Sequence, residues 1–269
     1  MLMLALRISC VEAEENLHRV KVEKLLNHAP LRAEQNVMVY FAKELQGTPY
    51  GAGTLDRNHE ERLVTRLDSV DCVTFVENVL ALALCDQKNI RSFSDFEQQL
   101  QQIRYRDGQI DGFSSRLNYF TEWIENNTKK RLVSEKTLNT EGTEVRIFNL
   151  NFMSEHRSAY PALEDEVQLS EIRDVEVLKE NYHMPYIPKE LLNGTAEKLE
   201  VKDGDILALT TSIDGLDVVH TGIACWMDGE LHMIHASSVK GRVIVDETSL
   251  YDYLKHKKRN TGIRVVRMR

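Results

Sequence analysis

The dipeptide Asp228-Gly229 divides two apolar runs, 217–226 and 231–237. An Asp-Gly pair between such runs signals a two-residue hairpin, because both residues tolerate the positive φ that its turn demands. With these two as the loop, Met227 pairs with Glu230, Gly222 faces His235 and His220 faces Ser237. Side chains alternate along a strand, so His220, Gly222, His235 and Ser237 share one face. His220 and His235 become diagonal neighbours, about 7–8 Å apart at the backbone and within reach of each other's rings. Gly222, with no side chain, leaves room opposite His235. Two ordinary strand histidines, a metal pair, or a base with its orienting partner would each fit. No third acidic or cysteine ligand is spaced nearby for a metal, and a base with its partner accounts best for the arrangement.

A second constraint lies at Asp71-Cys72-Val73-Thr74. From Val73 the apolar residues Val76, Val79, Leu80, Ala83 and Leu84 recur at helical spacing, predicting a helix to about residue 85 with one buried stripe. Asp68, Ser69 and Asp71 are all suited to the N-cap. Cys72 is therefore expected in the first helical turn. Unpaired N–H groups and the helix dipole favour an anion there, so its thiol pKa is expected to fall. The plainer alternative is a small buried cysteine on an apolar helix.

The rest of the chain sorts into helices first and strands after. Helices are expected over 12–26, 31–45, 92–103 and 114–124, with a Gly/Pro-rich loop at 47–53. A short strand is expected at 145–148, then strands at 205–210, 217–226, 231–237, 242–246 and 262–268, with a helix over 249–257. That order predicts an α+β fold, the nucleophile helix packed on a C-terminal antiparallel sheet. The expected organisation is a single catalytic domain over 1–269, with a core of 30–85 and 201–269 and a mainly helical insertion over 86–200. A net charge of −8 without a long basic run argues against a nucleic-acid groove. The four cysteines, Cys10, Cys72, Cys85 and Cys225, form neither a disulfide framework nor a CxxC zinc pair. No apolar run is long enough to span a membrane. The apolar start, 1–6, followed by Ile8-Ser9-Cys10, reads as the remnant of a trimmed export signal.

A cysteine at a helix start needs a base, and the base needs a third group to hold its tautomer. Cys72, His220 and His235 supply that set. Here the chain resembles the NlpC-type bacterial cell-wall cysteine peptidases, which have a papain-like fold. The matching motifs are Gly47-Thr48-Pro49-Tyr50, Asp71-Cys72, His220-Thr221-Gly222-Ile223-Ala224 and Ile234-His235-Ala236. The resemblance implies Cys72 as nucleophile, His220 as general base and acid, and His235 as its orienter. It implies that Tyr50 lies beside the thiolate and helps bind the oxyanion, where the alternative is a packed loop aromatic. It implies that Asp71 meets substrate, where the alternative is a plain helix cap.

Usual members of that group read Asp-Cys-Ser-Gly, and the Ser helps hold a free peptide amino terminus. Val73 has no hydrogen-bonding group to do so. The chain instead resembles a branch marked by Arg104-Tyr105-Arg106, Ser115-Arg116-Leu117-Asn118-Tyr119, Trp123, Tyr186-Ile187-Pro188-Lys189, Gly215-Leu216-Asp217 and His235-Ala236-Ser237-Ser238. That branch is similar to N-acetylmuramoyl-L-alanine amidases that act on small peptidoglycan fragments with 1,6-anhydro-muramic sugars. The resemblance implies cleavage between the lactyl group of the sugar and L-alanine, with no metal or cofactor. Its partners would be muropeptides, and a monomer in the periplasm or cell envelope is expected. Arg116, Asn118, Tyr119, Trp123, Asp217 and Ser237 are the candidate substrate contacts, although an aromatic helix also serves as core. A γ-D-glutamyl-diaminopimelate endopeptidase on the same scaffold, a papain-like acyltransferase and a non-catalytic muropeptide-binding module are the alternatives.

Overall fold

The computed structural model describes residues 16–29, 36–56 and 60–269. The export remnant, residues 12–15 of the helix expected over 12–26 and residues 31–35 of that expected over 31–45 lie outside those residues. Helix α1 occupies 16–28, followed by α2 (Val37–Glu44), α3 (Cys72–Gln87) and α4 (Phe93–Arg104). Asn36 caps α2 by accepting from the Met38 and Val39 amides, and Ser92 caps α4 by accepting from the Asp95 amide. The next segment carries α5 (Phe120–Lys129), β1 (Val133–Glu135), β2 (Glu144–Phe148), α6 (Phe152–Glu155), α7 (Glu166–Val177) and β3 (Tyr182–Pro188). The short helix α8 (Ala196–Leu199) leads into β4 (Ile206–Thr211), β5 (Val218–Met227), β6 (Glu230–Ser237), β7 (Arg242–Val245), α9 (Leu250–Lys255) and β8 (Asn260–Met268).

The strands form one sheet in the order β2-β3-β8-β4-β5-β6-β7, with β1 also paired to β8. Every neighbouring pair is antiparallel. The insertion is thus less helical than its sequence suggests. It contributes three strands to the same sheet, through hydrogen bonds from β1 and β3 to β8. Gly262 permits the β3 junction: a Cβ there would sit 1.9 Å from the Ile187 carbonyl oxygen.

Alternation along the central strands builds two cores. Ile206, Ala208, Ile223, Cys225, Ile234 and Ala236 face α2 and α3, and α4 packs against α3. Leu207, Leu209, Ala224, Leu231 and Met233 face the other way, against Leu250 and Leu254 of α9. Helix α3 lies inside the first core and departs from the expected single stripe, because every residue from Thr74 to Cys85 is buried. A helix covered all round must pair its polar groups. Glu77 does so by accepting from Arg104 Nε at 2.7 Å and from the Trp123 indole N–H at 3.3 Å. Asn78 donates to the Arg66 carbonyl at 2.8 Å, fastening the loop that leads into the helix.

The expected helix over 114–124 starts later. Residues 113–115 form a single 3-10 turn, and 116–119 are not helical. Asn118 there donates its side-chain amide to the carbonyls of Phe113 and Arg116, which competes with helical bonding. Leu117 N bonds instead to Arg104 O at 2.9 Å, and Tyr105 bridges Arg116.

The Glu77–Arg104 pair is almost wholly buried. Replacing Arg104 by Met should therefore leave an unpaired buried carboxylate and cost about 3–5 kcal/mol in urea unfolding. The double variant Glu77→Leu/Arg104→Met should lose less than Arg104→Met alone.

Candidate active site

Cys72 is the first residue of α3 and is half-buried. A reciprocal cap sets the helix start. Asp71 Oδ1 accepts from the Thr74 amide at 2.8 Å, and the Asp71 amide donates to Thr74 Oγ1 at 2.9 Å. The Asp71 carboxylate thus serves as the N-cap. Thr221 on β5 donates its hydroxyl to the Cys72 carbonyl at 2.7 Å, tying the helix start to the strand that carries His220. The Pro49–Gly51 backbone runs beside Val70, with the Val70 amide donating to Pro49 O and the Gly51 amide to Val70 O, both at 3.0 Å. That pairing sets Tyr50 near Asp71 and Cys72. Burial is the main cause raising its phenol pKa, followed by those two neighbours.

The hairpin has the register expected of an Asp228-Gly229 turn, with Met227 opposite Glu230. His220 Nε2 and His235 Nδ1 are 2.6 Å apart, and the ring planes are nearly perpendicular at 88°. The space over Gly222 is filled differently from expectation. A Cβ there would lie 2.4 Å from Met233 Cγ and 2.8 Å from the Ile234 carbonyl, so Met233, not His235, uses the gap. Opposite β4, Leu209 pairs with His220 but Thr210 pairs with Val218. Val219 is the extra residue of a bulge immediately before His220, a device that re-aims a neighbouring side chain. Beyond the hairpin, His235 Nε2 lies 3.3 Å from Asp246 Oδ2. Asp246 belongs to the turn after β7, and sequence reasoning gave it no role.

Cys72 and His220 line one cavity of about 160 Å³, with Val73, Asn118, Tyr119, Tyr160, Asp217 and Val219 among its walls. His235 stands behind His220 rather than in the wall. Of the candidate contacts, Asn118, Tyr119 and Asp217 reach this cavity. Two of them already have partners there. The Tyr119 hydroxyl donates to Glu176 and accepts from the Met153 amide, both at 2.7 Å. Asp217 accepts from the Thr121 amide at 2.6 Å and the Val218 amide at 2.8 Å, joining α5 to the start of β5. Asn118 spends its amide hydrogens on the backbone, and its Oδ1 takes no hydrogen bond from the described residues.

The other three candidates point elsewhere. Arg116 is buried against Glu61 and Asp56, with bonds of 2.6 Å to each, and lines a separate cavity. Trp123 is fully buried, stacked on Phe120 at 4.8 Å and bonded to Glu77. Ser237 is buried and accepts from the Lys240 amide at 3.2 Å. The aromatic density of 116–124 thus reflects core packing as much as the cavity wall. Tyr160 joins the cavity from a segment without sequence periodicity, so no local signal marked it.

The electrostatics depart from the expectation of an activated thiolate. Burial first, then the Asp71 carboxylate, pushes the Cys72 thiol up to about 11, outweighing its hydrogen bonds with Thr221. Burial, then His235 and Lys257, pushes His220 down to about 3. Burial also lowers His235, against the opposing pull of Asp246. Cys72 and His220 therefore both rest uncharged near neutral pH. Among the described residues, no group of three His, Cys, Asp or Glu side chains is placed to hold a metal ion, and no helix is long and apolar enough to cross a membrane.

Comparison with known proteins joins this geometry to a family. The model of the AmiA-like, N-acetylmuramoyl-L-alanine amidase-like family matches residues 40–263. A crystal structure of an N-acetylmuramoyl-L-alanine amidase from Bacteroides uniformis is 38% identical, covers 86% of this chain and 98% of that one, and superposes with a TM-score of 0.80. A Bacteroides fragilis protein provisionally named a xylanase is 41% identical over 84% of this chain and 99% of that one, with a TM-score of 0.79. The Legionella pneumophila protein LPG0564 shares the fold at 22% identity, covering 96% of each chain with a TM-score of 0.73. No curated protein matches. With the family model spanning most of its length, the chain belongs to the N-acetylmuramoyl-L-alanine amidase-like family of hydrolases.

Proposed function

We propose that this enzyme is a cysteine-dependent amidase on an NlpC-type, papain-like core, and that it hydrolyses the bond between an N-acetylmuramic sugar and L-alanine in peptidoglycan fragments. The observation that carries the cysteine mechanism is the 2.6 Å bond between His220 Nε2 and His235 Nδ1, with His220 and Cys72 lining one cavity. With Nε2 engaged, Nδ1 is the ring nitrogen left for the thiol.

The steps follow from these groups. His220 Nδ1 accepts the Cys72 proton as the sulfur attacks the lactyl carbonyl carbon, forming a C–S bond and an oxyanion. The Tyr50 hydroxyl and the N–H groups of the first α3 turn stabilise that oxyanion. The intermediate collapses with cleavage of the C–N bond, and His220 gives its proton to the departing alanine nitrogen. Water, deprotonated by His220, then attacks the thioester. The C–S bond breaks and the sulfur recovers the proton from His220, releasing the sugar acid.

Val73 favours the amidase over the γ-D-glutamyl-diaminopimelate endopeptidase, because it lines the cavity next to Cys72 with an apolar side chain. It offers a free peptide amine nothing to bond. The open acceptor of Asn118 suits an amide N–H of the substrate, in the acetamido group or in the first peptide unit. A 1,6-anhydro sugar and action within the cell envelope are further parts of the proposal. They rest on the resemblance of the 104–123 and 215–238 motifs to the amidase branch.

Incubating a purified anhydro-muropeptide and measuring product masses tests the reading. Free sugar plus the intact stem peptide is expected; a product in which the sugar still carries an L-alanyl-D-glutamyl dipeptide would replace the amidase with the endopeptidase. Cys72→Ala should abolish turnover, and a variant that still cleaves would end the cysteine mechanism.

The pKa directions give a second test. A raised thiol carries little thiolate at neutral pH, so alkylation of Cys72 by iodoacetamide should keep accelerating as pH rises past 9 toward about 11. A preformed thiolate–imidazolium pair would instead give a rate that is flat across the neutral range. Because His220 stays neutral down to about 3, the acid limb of kcat/KM assigned to it should fall well below the ordinary histidine value of about 6.5.

A further inference from the structure

The hydrogen bonds behind the histidine pair run further than a nucleophile, a base and one orienting group require. Asp246 lies at the end of the line, with its two carboxylate oxygens committed to different partners. Oδ1 accepts from the Thr248 amide at 3.0 Å, and Oδ2 faces His235 Nε2 at 3.3 Å. The Asp246 backbone is held as well, its amide donating to Met233 O at 2.9 Å and its carbonyl facing His232 Nδ1 at 3.0 Å. The carboxylate is therefore fixed in both position and rotation.

That fixation has a consequence for each ring. A carboxylate only accepts, so His235 must present N–H at Nε2. A neutral imidazole carries one proton, so His235 Nδ1 is then an acceptor. The 2.6 Å contact can form only if His220 donates from Nε2. Neutral His220 is left with an unprotonated Nδ1, the form that can take a proton from Cys72. Resting on the cysteine-amidase reading, we propose that Asp246 is a positioning residue that sets the tautomer of the general base through two imidazoles in series.

The remaining charged surroundings would not set this order. Lys257 lies over the Tyr253 ring at 3.6 Å and disfavours protonation of both histidines, without bonding to either ring. Tyr253 meets His235 edge-on at 5.9 Å between centroids. Asp246 is the carboxylate in hydrogen-bond contact with the pair. It also faces solvent through a cavity of about 520 Å³ that Glu247 and Thr248 help to line.

Asp246→Asn is a pointed substitution here. The Thr248 amide requires an acceptor, so the Asn oxygen stays on that side and the NH₂ group turns toward His235. That donor reverses the line: His235 then carries its single proton at Nδ1 and donates that N–H to an unprotonated His220 Nε2. The His220 proton is then confined to Nδ1, and the base is blocked.

The test combines histidine ¹⁵N NMR with kinetics on the full chain. In the unmodified enzyme both His220 and His235 should be Nε2–H tautomers, and in Asp246→Asn both should be Nδ1–H. On the muropeptide substrate, kcat for Asp246→Asn should fall on the order of 10²–10⁴-fold, the scale of an acidic orienter lost from a triad. KM should change little and thermal unfolding should stay close to that of the parent. Asp246→Ala should be similarly impaired and partly rescued by added formate, which enters through the solvent cavity and restores an acceptor.

An Nδ1–H His235 in the unmodified enzyme overturns the proposal without reference to any variant. So does an Asn variant that switches tautomer and keeps full kcat, or one that loses kcat without the switch. Turnover by Cys72→Ala would remove the cysteine mechanism instead, while the ¹⁵N spectra would still report whether Asp246 orders the two rings.

Discussion

Burial of α3 on all sides is the constraint on which the site depends. A helix covered by other helices on one flank and by the sheet on the other has no freedom to slide or turn. Its first residue, Cys72, inherits that rigidity. The cap between Asp71 and Thr74 fixes where the helix begins, and the Thr221 hydroxyl fastens that beginning to β5. Lys21 of α1 donates to the Leu67 carbonyl at 2.6 Å, and Asn78 holds the Arg66 carbonyl, so the incoming loop is pinned from two sides. Position and orientation of the sulfur thus come from core packing rather than from the cavity wall.

The same burial decides the charge state. A first-turn cysteine in open solvent would gain from the helix dipole, but desolvation and the neighbouring Asp71 carboxylate oppose ionisation more strongly here. The histidine pair is treated alike: desolvation is the first cause that lowers both rings, and for His220 the neighbouring His235 adds to it. A Cys72–His220 pair that rests neutral avoids the cost of holding two ions in a desolvated place. Under the proposed mechanism, charge then develops only as the sulfur attacks, where the oxyanion donors and the proton on His220 meet it.

The insertion is part of the architecture rather than an appendage. Its β1 and β3 join β8, Asp217 ties its helix α5 to the first residue of β5, and Glu77 takes a hydrogen bond from its Trp123. Arg116 and Trp123, polar and aromatic in sequence, are consumed in this joining. Asn118, Tyr119 and Tyr160 are the polar side chains that the insertion presents to the cavity. Polar atoms that already have buried partners hold the wall in place, while a half-used group such as the Asn118 amide can still meet a ligand.

The sequence by itself determined what depends on near neighbours. Apolar spacing and capping residues set α3 to begin at Cys72, and the Asp228-Gly229 turn set the register that brings His220 and His235 together on one face. The strands after residue 205 also followed, as did the short strand expected at 145–148. Only the tertiary structure decided the direction of the Cys72 and His220 pKa values, the filling of the Gly222 gap by Met233, and the division of the 116–123 side chains between core and cavity. It alone brought Asp246 behind His235. The physical reason is one of range. Periodicity and turn chemistry act over a few residues and leave a pattern in the chain. Desolvation and hydrogen-bond partnership depend on groups that folding brings together from distant segments, and those leave none.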